Sequence, residues 1–363
     1  MRRLSRELSP TEPLSDASLA SFFAPLAGRR ALLAVSGGPD SVALMRLAAQ
    51  WQGQGAPAGT SFFVATVDHG LRCESRAEAE TVGRWAQSLG LPHQILAWQG
   101  AKPRTRIQER ARAARYTLLR AHARLIGADY LLTGHHADDQ AETILFRLMR
   151  GSGIGGLAGM QSMTEQDGVV LYRPLLGVPK KLLIDYCDAC GRSYFRDPSN
   201  ENSAFIRTRL RAFLPILDEA GLDAAGLARL GHRAARAERA LAAQADLARA
   251  TLERTSTPDI VHISAASLRD LPEEILLRVV GAEIAALGSK PPRLERLESL
   301  AQDLYAALQL RKVWHRTLGG VKLSLDGEEL TLRREALRRR GQVSASAHPA
   351  SYDPAFWSGN AVS

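Results

Sequence analysis

The sequence has few cysteines and no long apolar segment. Its three cysteines, Cys73, Cys187 and Cys190, are too few for a disulfide framework in a chain of 363 residues. The basic N-terminus runs into Glu7 and Glu12 without an apolar core, a pattern typical of neither a signal peptide nor a membrane span. We therefore expect a cytoplasmic protein without a leader or a membrane anchor.

Acidic residues are outnumbered in the chain and almost missing from one stretch. The chain has 47 Lys and Arg against 38 Asp and Glu, a formal net charge of +9 and a pI of about 9.8, which favours nucleic acid as a partner. Glu109 is the only acid between residues 102 and 124. Such a run forms either a solvated helix face or a surface that contacts phosphates. Its basic residues are Lys102, Arg104, Arg106, Arg110, Arg112, Arg115, Arg120 and Arg124.

A loop with the sequence SGGPDS, residues 36–41, lacks the lysine of a Walker-type phosphate loop. Its paired glycines allow backbone amides to approach an anion, and the helix that follows directs its positive end into the loop. Gly38 is followed by Pro39 and Asp40, so the side-chain charge here is negative. An acid beside phosphates indicates a bridging Mg²⁺. A helix N-cap role for Asp40 is the structural alternative.

Apolar segments alternate with helical patterns in the first half of the chain. This alternation predicts parallel strands joined by right-handed crossovers, in an α/β domain with a doubly wound, Rossmann-like, five-stranded parallel sheet. Ligands bind such sheets at the carboxyl ends of the strands, which points to the loops at 36–41, 68–72 and 133–142. The five strand segments read ALLAV, FFVATVDHG, HQILAW, ADYLLTGHH and VVLYRPLL.

The pattern changes after Pro215. The segment from Asp218 is rich in Ala, Leu and Arg with a helical period, which predicts a smaller, mainly helical domain. Alternating apolar residues around Asp326-Gly327 predict a C-terminal β-hairpin near 320–333. The expected organisation is an N-terminal extension at 1–27, a nucleotide-binding domain at 28–217, a substrate-recognition domain at 218–340 and a flexible tail at 341–363.

The segment GHHADDQAET, residues 134–143, follows the strand YLLT and opens a helix. It gathers His135, His136, Asp138 and Asp139 at a carboxyl edge of the sheet. A transition-metal site is disfavoured because adjacent side chains project in different directions. Helix capping, with Glu142 nearby, explains one of the two aspartates and leaves the other over.

Seven motifs occur in the order seen in tRNA(Ile)-lysidine synthetases, a family that the chain resembles over roughly residues 28–215. SGGPDS alone marks the wider superfamily of PP-loop ATP pyrophosphatases. GHHADDQAET together with RGSGIGGLAGM is more specific to lysidine synthetases and their relatives. The other motifs are DHGLR (68–72), ERARAARY (109–116), YRPLL and DPSN (197–200).

The resemblance implies a PP-loop fold and an ATP-dependent ligase. The family adenylates the C2 oxygen of the wobble cytidine in an isoleucine tRNA with a CAU anticodon and releases pyrophosphate. Free L-lysine then displaces AMP to form lysidine. The implied cofactors are ATP and Mg²⁺, the implied partners are this tRNA and lysine, and a homodimer is among the allowed assemblies.

The resemblance also implies roles for individual residues. Arg207-Thr208-Arg209 stands where the family commonly has Arg-Asn-Arg, which puts only the middle contact in doubt. It implies that Ser36, Gly37, Gly38 and Ser41 hold the leaving pyrophosphate, that Pro39 belongs to the same cofactor-binding loop, and that Asp40 holds Mg²⁺. Asp68 and His69 would line the nucleoside pocket, and Asp138 and Asp139 would bind and deprotonate lysine. The implied substrate-binding residues are Arg112, Arg115 and Tyr116, which would receive the tRNA, and His135, Arg207 and Arg209.

Two other functions remain open at this point. A tRNA thiolase of the 2-thiocytidine type shares the loop, but it needs sulfur-carrying or cluster-binding cysteines. Cys187 and Cys190 lie on a predicted helix beyond the core motifs, where structural cysteines are the favoured interpretation. A non-catalytic nucleotide-binding module would need neither Asp138 and Asp139 nor the arginine-rich helix.

Overall fold

A parallel sheet organises the first part of the chain in the computed structural model. Its strands lie in the order β3-β2-β1-β4-β6-β5. The five predicted parallel strands are confirmed, and β5 adds an antiparallel edge that sequence analysis missed. The strands are β1 (Arg30–Ala34), β2 (Ser61–Asp68), β3 (His93–Ala97), β4 (Tyr130–Thr133), β5 (Met163–Gln166) and β6 (Val169–Tyr172).

The missed strand was hidden by its composition. MTEQ is short and mostly polar, with no alternation that would mark a half-buried strand. Its turn carried a signal, however, because Asp167 and Gly168 join β5 to β6 with φ of +56° and +75°. An Asp-Gly pair is a characteristic hairpin turn.

Twelve helices accompany the strands in the described part of the chain. They are α1 (Asp16–Phe23), α2 (Pro39–Gly53), α3 (Ser75–Ser88), α4 (Ile107–Leu125), α5 (Ala137–Met149), α6 (Ile154–Leu157), α7 (Lys180–Ala189), α8 (Ile206–Glu219), α9 (Ala224–Thr251), α10 (Ala265–Arg269), α11 (Glu273–Leu287) and α12 (Leu294–Leu310). None of these helices is long and apolar enough to cross a membrane.

Helices cover both faces of the parallel sheet. Leu32 and Leu33 are adjacent in β1 and both fully buried, but they belong to different apolar clusters on opposite faces. Leu33 packs with residues of α1, α2, α3 and α7, while Leu32 packs with Tyr116 and Leu119 of α4. Because both faces are buried, the strands read as continuous apolar runs.

The chain divides into two compact units. The structure describes residues 14–72, 74–100, 102, 105–191, 194–195, 206–288 and 292–335. The first unit lies within Met1–Phe146 and Gly159–Arg229, and the second within Arg147–Ala158 and Leu230–Ser363.

The second unit contains a sheet where mainly helices were predicted. The predicted hairpin near 320–333 is confirmed as β10 and β11, but three further strands complete an antiparallel sheet in the order β7-β8-β11-β10-β9. Helices α11 and α12 share one apolar core with this sheet. The strands are β7 (Arg254–Ser256), β8 (Ile260–Ser264), β9 (Trp314–Leu318), β10 (Val321–Leu325) and β11 (Glu329–Arg334).

Candidate active site

The loop at residues 36–41 connects β1 to the N-terminus of α2. Gly37 has a φ of +91°, a conformation that glycine adopts without strain. Pro39 occupies the first turn, where its missing N–H costs nothing. The Ser41 hydroxyl donates to the Gly38 carbonyl at 3.0 Å and accepts the Ser36 N–H at 3.2 Å. The loop is thus held closed by its own residues, with the positive end of α2 behind it.

Asp40 lies in the first turn of α2 and has an unsatisfied oxygen. Gly38 is the N-cap of this helix, so the capping alternative for Asp40 is wrong. Asp40 Oδ2 lies 3.5 Å from His136 Nε2, whereas Oδ1 is buried and has no hydrogen-bond partner among the described residues. A buried carboxylate oxygen without a partner is costly, and a hard cation would satisfy it.

Gly134 joins the second candidate loop to the first. β4 pairs with β1 so that Thr133 lies opposite Ala34. A Cβ at Gly134 would lie 2.7 Å from the Asp40 carbonyl oxygen and 3.0 Å from the Ser41 nitrogen. Only glycine fits here without displacing α2. The segment that follows Gly134 is therefore held against the start of α2.

His136 is surrounded by three carboxylates. Its side chain is 2% exposed, and Nε2 lies 3.4 Å from Asp139 Oδ2 and 3.5 Å from Asp40 Oδ2. Nδ1 lies 3.6 Å from Asp138 Oδ2. Burial lowers the pKa of His136, but Asp138, Asp40 and Asp139 outweigh burial and raise the pKa to about 10. His136 is therefore an imidazolium at neutral pH. Nδ1 also lies 3.3 Å from the Asp139 main-chain nitrogen. A protonated ring nitrogen cannot accept that N–H, so we infer that Nδ1–H donates a hydrogen bond to Asp138.

Asp138 and Asp139 each accept a main-chain N–H. Asp139 Oδ2 accepts from His136 at 3.2 Å, at the start of α5. Asp138 Oδ2 accepts from Lys180 at 2.8 Å, at the start of α7. Burial raises the pKa of Asp138, but the hydrogen bonds from His136 and Lys180 outweigh burial and lower it. The expectation that capping explains only one of the two acids is thus wrong, since each is fixed by a helix N-terminus.

Asp68 is the last residue of β2 and His69 follows it, and the two side chains have different environments. Asp68 Oδ1 accepts from the Ser75 hydroxyl at 2.6 Å and from the Gly70 N–H at 2.9 Å, and the bond from Ser75 lowers its pKa. These bonds shape the turn that leads toward α3. His69 Nδ1 is buried without a partner among the described residues, and burial lowers its pKa. Their contact with a nucleoside stays a prediction.

Three arginines of helix α4 lie close to the ring of one tyrosine on the same helix. The guanidinium carbons of Arg112 and Arg115 lie 5.2 Å from the centre of the Tyr116 ring, and that of Arg120 lies 5.7 Å away. Arg120 also pairs with Asp167 at 3.2 Å. The predicted tRNA residues Arg112, Arg115 and Tyr116 thus lie together on α4, and their contact with tRNA stays a prediction.

His135 lies in the same region as these arginines. Its Nδ1 lies 2.8 Å from the Thr133 hydroxyl. Burial, followed by the charges of Arg173, Arg112 and Arg115, holds its pKa well below the ordinary value. The two adjacent histidines therefore differ in charge: His135 is neutral and His136 is protonated.

Some predicted residues lie outside the described part of the chain. These are Arg104, Cys73, the DPSN motif at 197–200, and the side chains of Arg207 and Arg209, whose backbone belongs to α8. His136 is the one residue of the carboxylate cluster that sequence analysis weighed only as a metal ligand. Its adjacent acids were visible in the sequence, but its contact with Asp40 depends on the fold.

Cys187 packs against the start of α2 and contacts Pro39 of the loop. Its side chain is fully buried on α7, Sγ donates to the Pro39 carbonyl at 3.6 Å, and burial raises its pKa to about 11. Cys190 is exposed, and both cysteines are free. Cys187 is therefore a packing residue beneath α2 rather than a reactive thiol.

The fold and this loop define a nucleotide-binding α/β protein of the PP-loop class. A family model described as a PP-loop domain matches residues 12–217.

The chain belongs to the tRNA(Ile)-lysidine synthase family. It is 44% identical to the tRNA(Ile)-lysidine synthase of Bradyrhizobium diazoefficiens, over 90% of this chain and 96% of that one. It is 48% identical to the enzyme of the same name from Methylobacterium nodulans, over 89% of this chain and 95% of that one. Among solved structures it is similar to the U34-tRNA thiolase NcsA of Methanococcus maripaludis with its [4Fe-4S] cluster, at 16% identity and a TM-score of 0.53, over 60% of this chain and 77% of that one. That likeness concerns the fold alone.

Proposed function

We propose that this protein joins L-lysine to C2 of the wobble cytidine of an isoleucine tRNA with a CAU anticodon. ATP is converted to AMP and pyrophosphate through an adenylated cytidine, in the cytoplasm. The single observation that carries the proposal is the contact of Gly134 with α2, which places Asp40, Asp138 and Asp139 around His136. One centre then serves both half-reactions. Assembly as a homodimer stays a prediction.

The first half-reaction uses the loop at residues 36–41. Backbone amides and the positive end of α2 bind the leaving pyrophosphate, and they are positioned before substrate arrives. The unsatisfied Oδ1 of Asp40 fits one ligand of Mg²⁺. The described residues contain no group of three or more His, Cys, Asp or Glu side chains arranged to hold a metal ion. Mg²⁺ would therefore take its other oxygens from phosphates and water, and it would neutralise charge on the phosphates.

The second half-reaction needs a neutral lysine amine. The ε-ammonium group has a pKa of about 10.4, so it must lose a proton before it attacks C2. The cluster places three acidic side chains, Asp40, Asp138 and Asp139, around the single imidazolium of His136, so acidic groups are in excess. This excess attracts an ammonium group. We assign ammonium binding and proton removal to Asp138 and Asp139 together.

The second unit supports binding of the tRNA backbone. Lys322 of β10 lies directly opposite Arg333 of β11, and both side chains are exposed. Their neighbours Leu323 and Leu332 are buried, so the two cations lie on the sheet face away from the core. Like charges directly opposite each other are destabilising in a sheet. A phosphate of the bound tRNA would relieve this repulsion.

Transfer of labelled lysine tests the proposed reaction directly. The protein is incubated with ATP, Mg²⁺, radiolabelled lysine and an unmodified transcript of tRNA(Ile) with a CAU anticodon. We expect ATP-dependent label in the tRNA, with one AMP and one pyrophosphate released for each lysine incorporated. A transcript of elongator tRNA(Met), which has the same anticodon, is the matched control. Pyrophosphate release without label in tRNA would contradict ligation and favour a thiolase or another adenylating enzyme.

Replacing Arg112 and Arg115 with alanine tests the tRNA surface on α4. Each arginine that binds a phosphate releases counterions. The negative slope of log affinity against log salt concentration should therefore become shallower by about one unit for each arginine–phosphate pair removed. Binding is measured by filter retention of the tRNA at several salt concentrations. Arg84→Ala is the control because Arg84 lies on α3, whose core residues pack on the opposite face of the sheet. An unchanged affinity and slope in the double variant would make these arginines a solvated helix face.

A further inference from the structure

Arg173 is a buried cation for which the described residues provide no carboxylate. It follows β6 and is 7% exposed. Nη1 donates to the Gln161 carbonyl at 2.6 Å and lies 3.5 Å from the Thr164 hydroxyl, whereas Nε is buried without a partner. Burial lowers the pKa of Arg173, and among the described residues Tyr116 rather than a carboxylate opposes this effect. A buried charge without a counterion is costly, so an anion that binds from outside would stabilise it.

The Tyr116 hydroxyl is a second buried polar group, and the charge of Arg173 acts on it. Tyr116 is 7% exposed, and its hydroxyl has no partner of good hydrogen-bond geometry among the described residues, with only a weak contact from Arg115. Burial raises its pKa, but the charges of Arg112, Arg115 and Arg173 outweigh burial and lower it. Arg173 likewise lowers the pKa of the neutral His135. Arg173, Arg112 and Arg115 therefore act on the same two buried side chains, Tyr116 and His135.

The position of Arg173 relates this region to the reaction centre. β6 pairs with β4 so that Tyr172 lies opposite Leu132, and Arg173 follows at the carboxyl edge beside Thr133 and His135. β4 in turn pairs with β1, which leads into the phosphate loop. Arg173 thus lies at the same sheet edge as Asp40, on the other side of β4.

We propose that Arg173 and the Tyr116 hydroxyl, together with Arg112 and Arg115, bind one phosphate group of a substrate. A phosphate has several acceptor oxygens, which suits a guanidinium fork together with a phenol. The phosphate comes from the RNA backbone or from the nucleotide. Only the identity of the substrate that supplies this phosphate rests on the proposed function. The assignment makes Arg173 a substrate-binding residue.

Arg173→Met tests the site by replacing the charge with an apolar chain of similar length. Binding is measured by titration with AMP and with a 17-nucleotide anticodon stem-loop RNA. We expect affinity for one of them to fall about 10-fold or more, the size expected when a hydrogen bond to a charged group is removed. A loss for the RNA alone assigns the phosphate to the tRNA backbone, and a loss for AMP alone assigns it to the nucleotide. Tyr116→Phe removes only the hydroxyl and should weaken the same ligand by a smaller factor.

Thermal unfolding of the ligand-free variants separates binding from a structural role. Removal of a buried charge without a counterion favours the fold of Arg173→Met, whereas loss of the hydrogen bond to the Gln161 carbonyl disfavours it, so the melting temperature should stay close to that of the parent. A much lower melting temperature with unaltered affinity for both ligands would overturn the proposal, because Arg173 would then serve only the fold. It would also be overturned if only the KM for lysine rose, or if the parent bound neither ligand.

The outcome is independent of lysidine formation. If the parent forms no lysidine and Arg173→Met still loses a ligand, the phosphate site stands and the proposed reaction fails. If the parent forms lysidine and Arg173→Met binds both ligands normally, the reaction stands and the phosphate site fails. Arg84→Met is the matched control, since it removes an exposed arginine of α3.

Discussion

The Asp40→Asn protein is expected to lose pyrophosphate release by about 10²-fold or more, while it still binds tRNA. Asparagine keeps the shape of the side chain but removes the charge that a divalent cation requires. In the parent, Oδ1 is buried without a partner, so no other described group compensates for the missing ligand. Asp40→Ala should lose at least as much. The measurement is release of labelled pyrophosphate from ATP in the presence of tRNA, with tRNA affinity measured on the same samples.

A control is needed because Asp40 also contacts His136. Loss of one carboxylate leaves the buried imidazolium with fewer counter-charges, which can destabilise the fold. Thermal unfolding of each variant shows whether the protein remains folded at the assay temperature. Asp185→Asn, an exposed acid that pairs with Lys181, is the matched substitution elsewhere on the unit. If Asp40→Asn releases pyrophosphate at the parent rate, Asp40 does not hold the metal.

The parallel sheet was predictable because its strands are buried on both faces. Leu32 and Leu33 lie next to each other in β1 and pack in different cores, so the strand reads as an uninterrupted apolar run. The second unit gave a weaker signal. In β9, Trp314–Leu318, the central three residues are exposed, and a strand with this pattern is not distinguished from a loop by periodicity. Its place in the sheet is set by pairing with β10.

The candidate site was predictable in its residue types and less so in their contacts. The loop at residues 36–41 and the acids Asp138 and Asp139 could be located because each follows a buried strand, and the carboxyl ends of parallel strands lie at one edge of the sheet. Two contacts could not be inferred from the sequence. The contact of Gly134 with α2 and that of His136 with Asp40 join segments that are far apart in the chain and meet only through the pairing of β1 with β4.

Capping does not exclude a catalytic role for Asp138 and Asp139. The contacts of both acids to main-chain N–H groups and to His136 use Oδ2. Such bonds orient each carboxylate and hold it in one rotamer, which a site that selects a lysine amine requires. Asparagine at either position can still accept the main-chain N–H through its carbonyl oxygen. Substitution with asparagine therefore separates the charge of each acid from its role at the helix N-terminus.

Asp138→Asn and Asp139→Asn are each expected to raise the lysine requirement by about 10²-fold, as for loss of a charged partner or a general base, with ATP binding near normal. The partner of the ammonium group should mainly affect KM, because binding is weakened in the ground and transition states alike. The residue that takes the proton should mainly affect kcat, and its removal should change the dependence of kcat on pH. Initial rates of lysine incorporation across lysine concentration and pH measure both quantities, with the exposed Asp188→Asn on α7 as control. If both variants form lysidine at the parent rate with the parent KM, the two acids only cap α5 and α7, and the amine binds elsewhere.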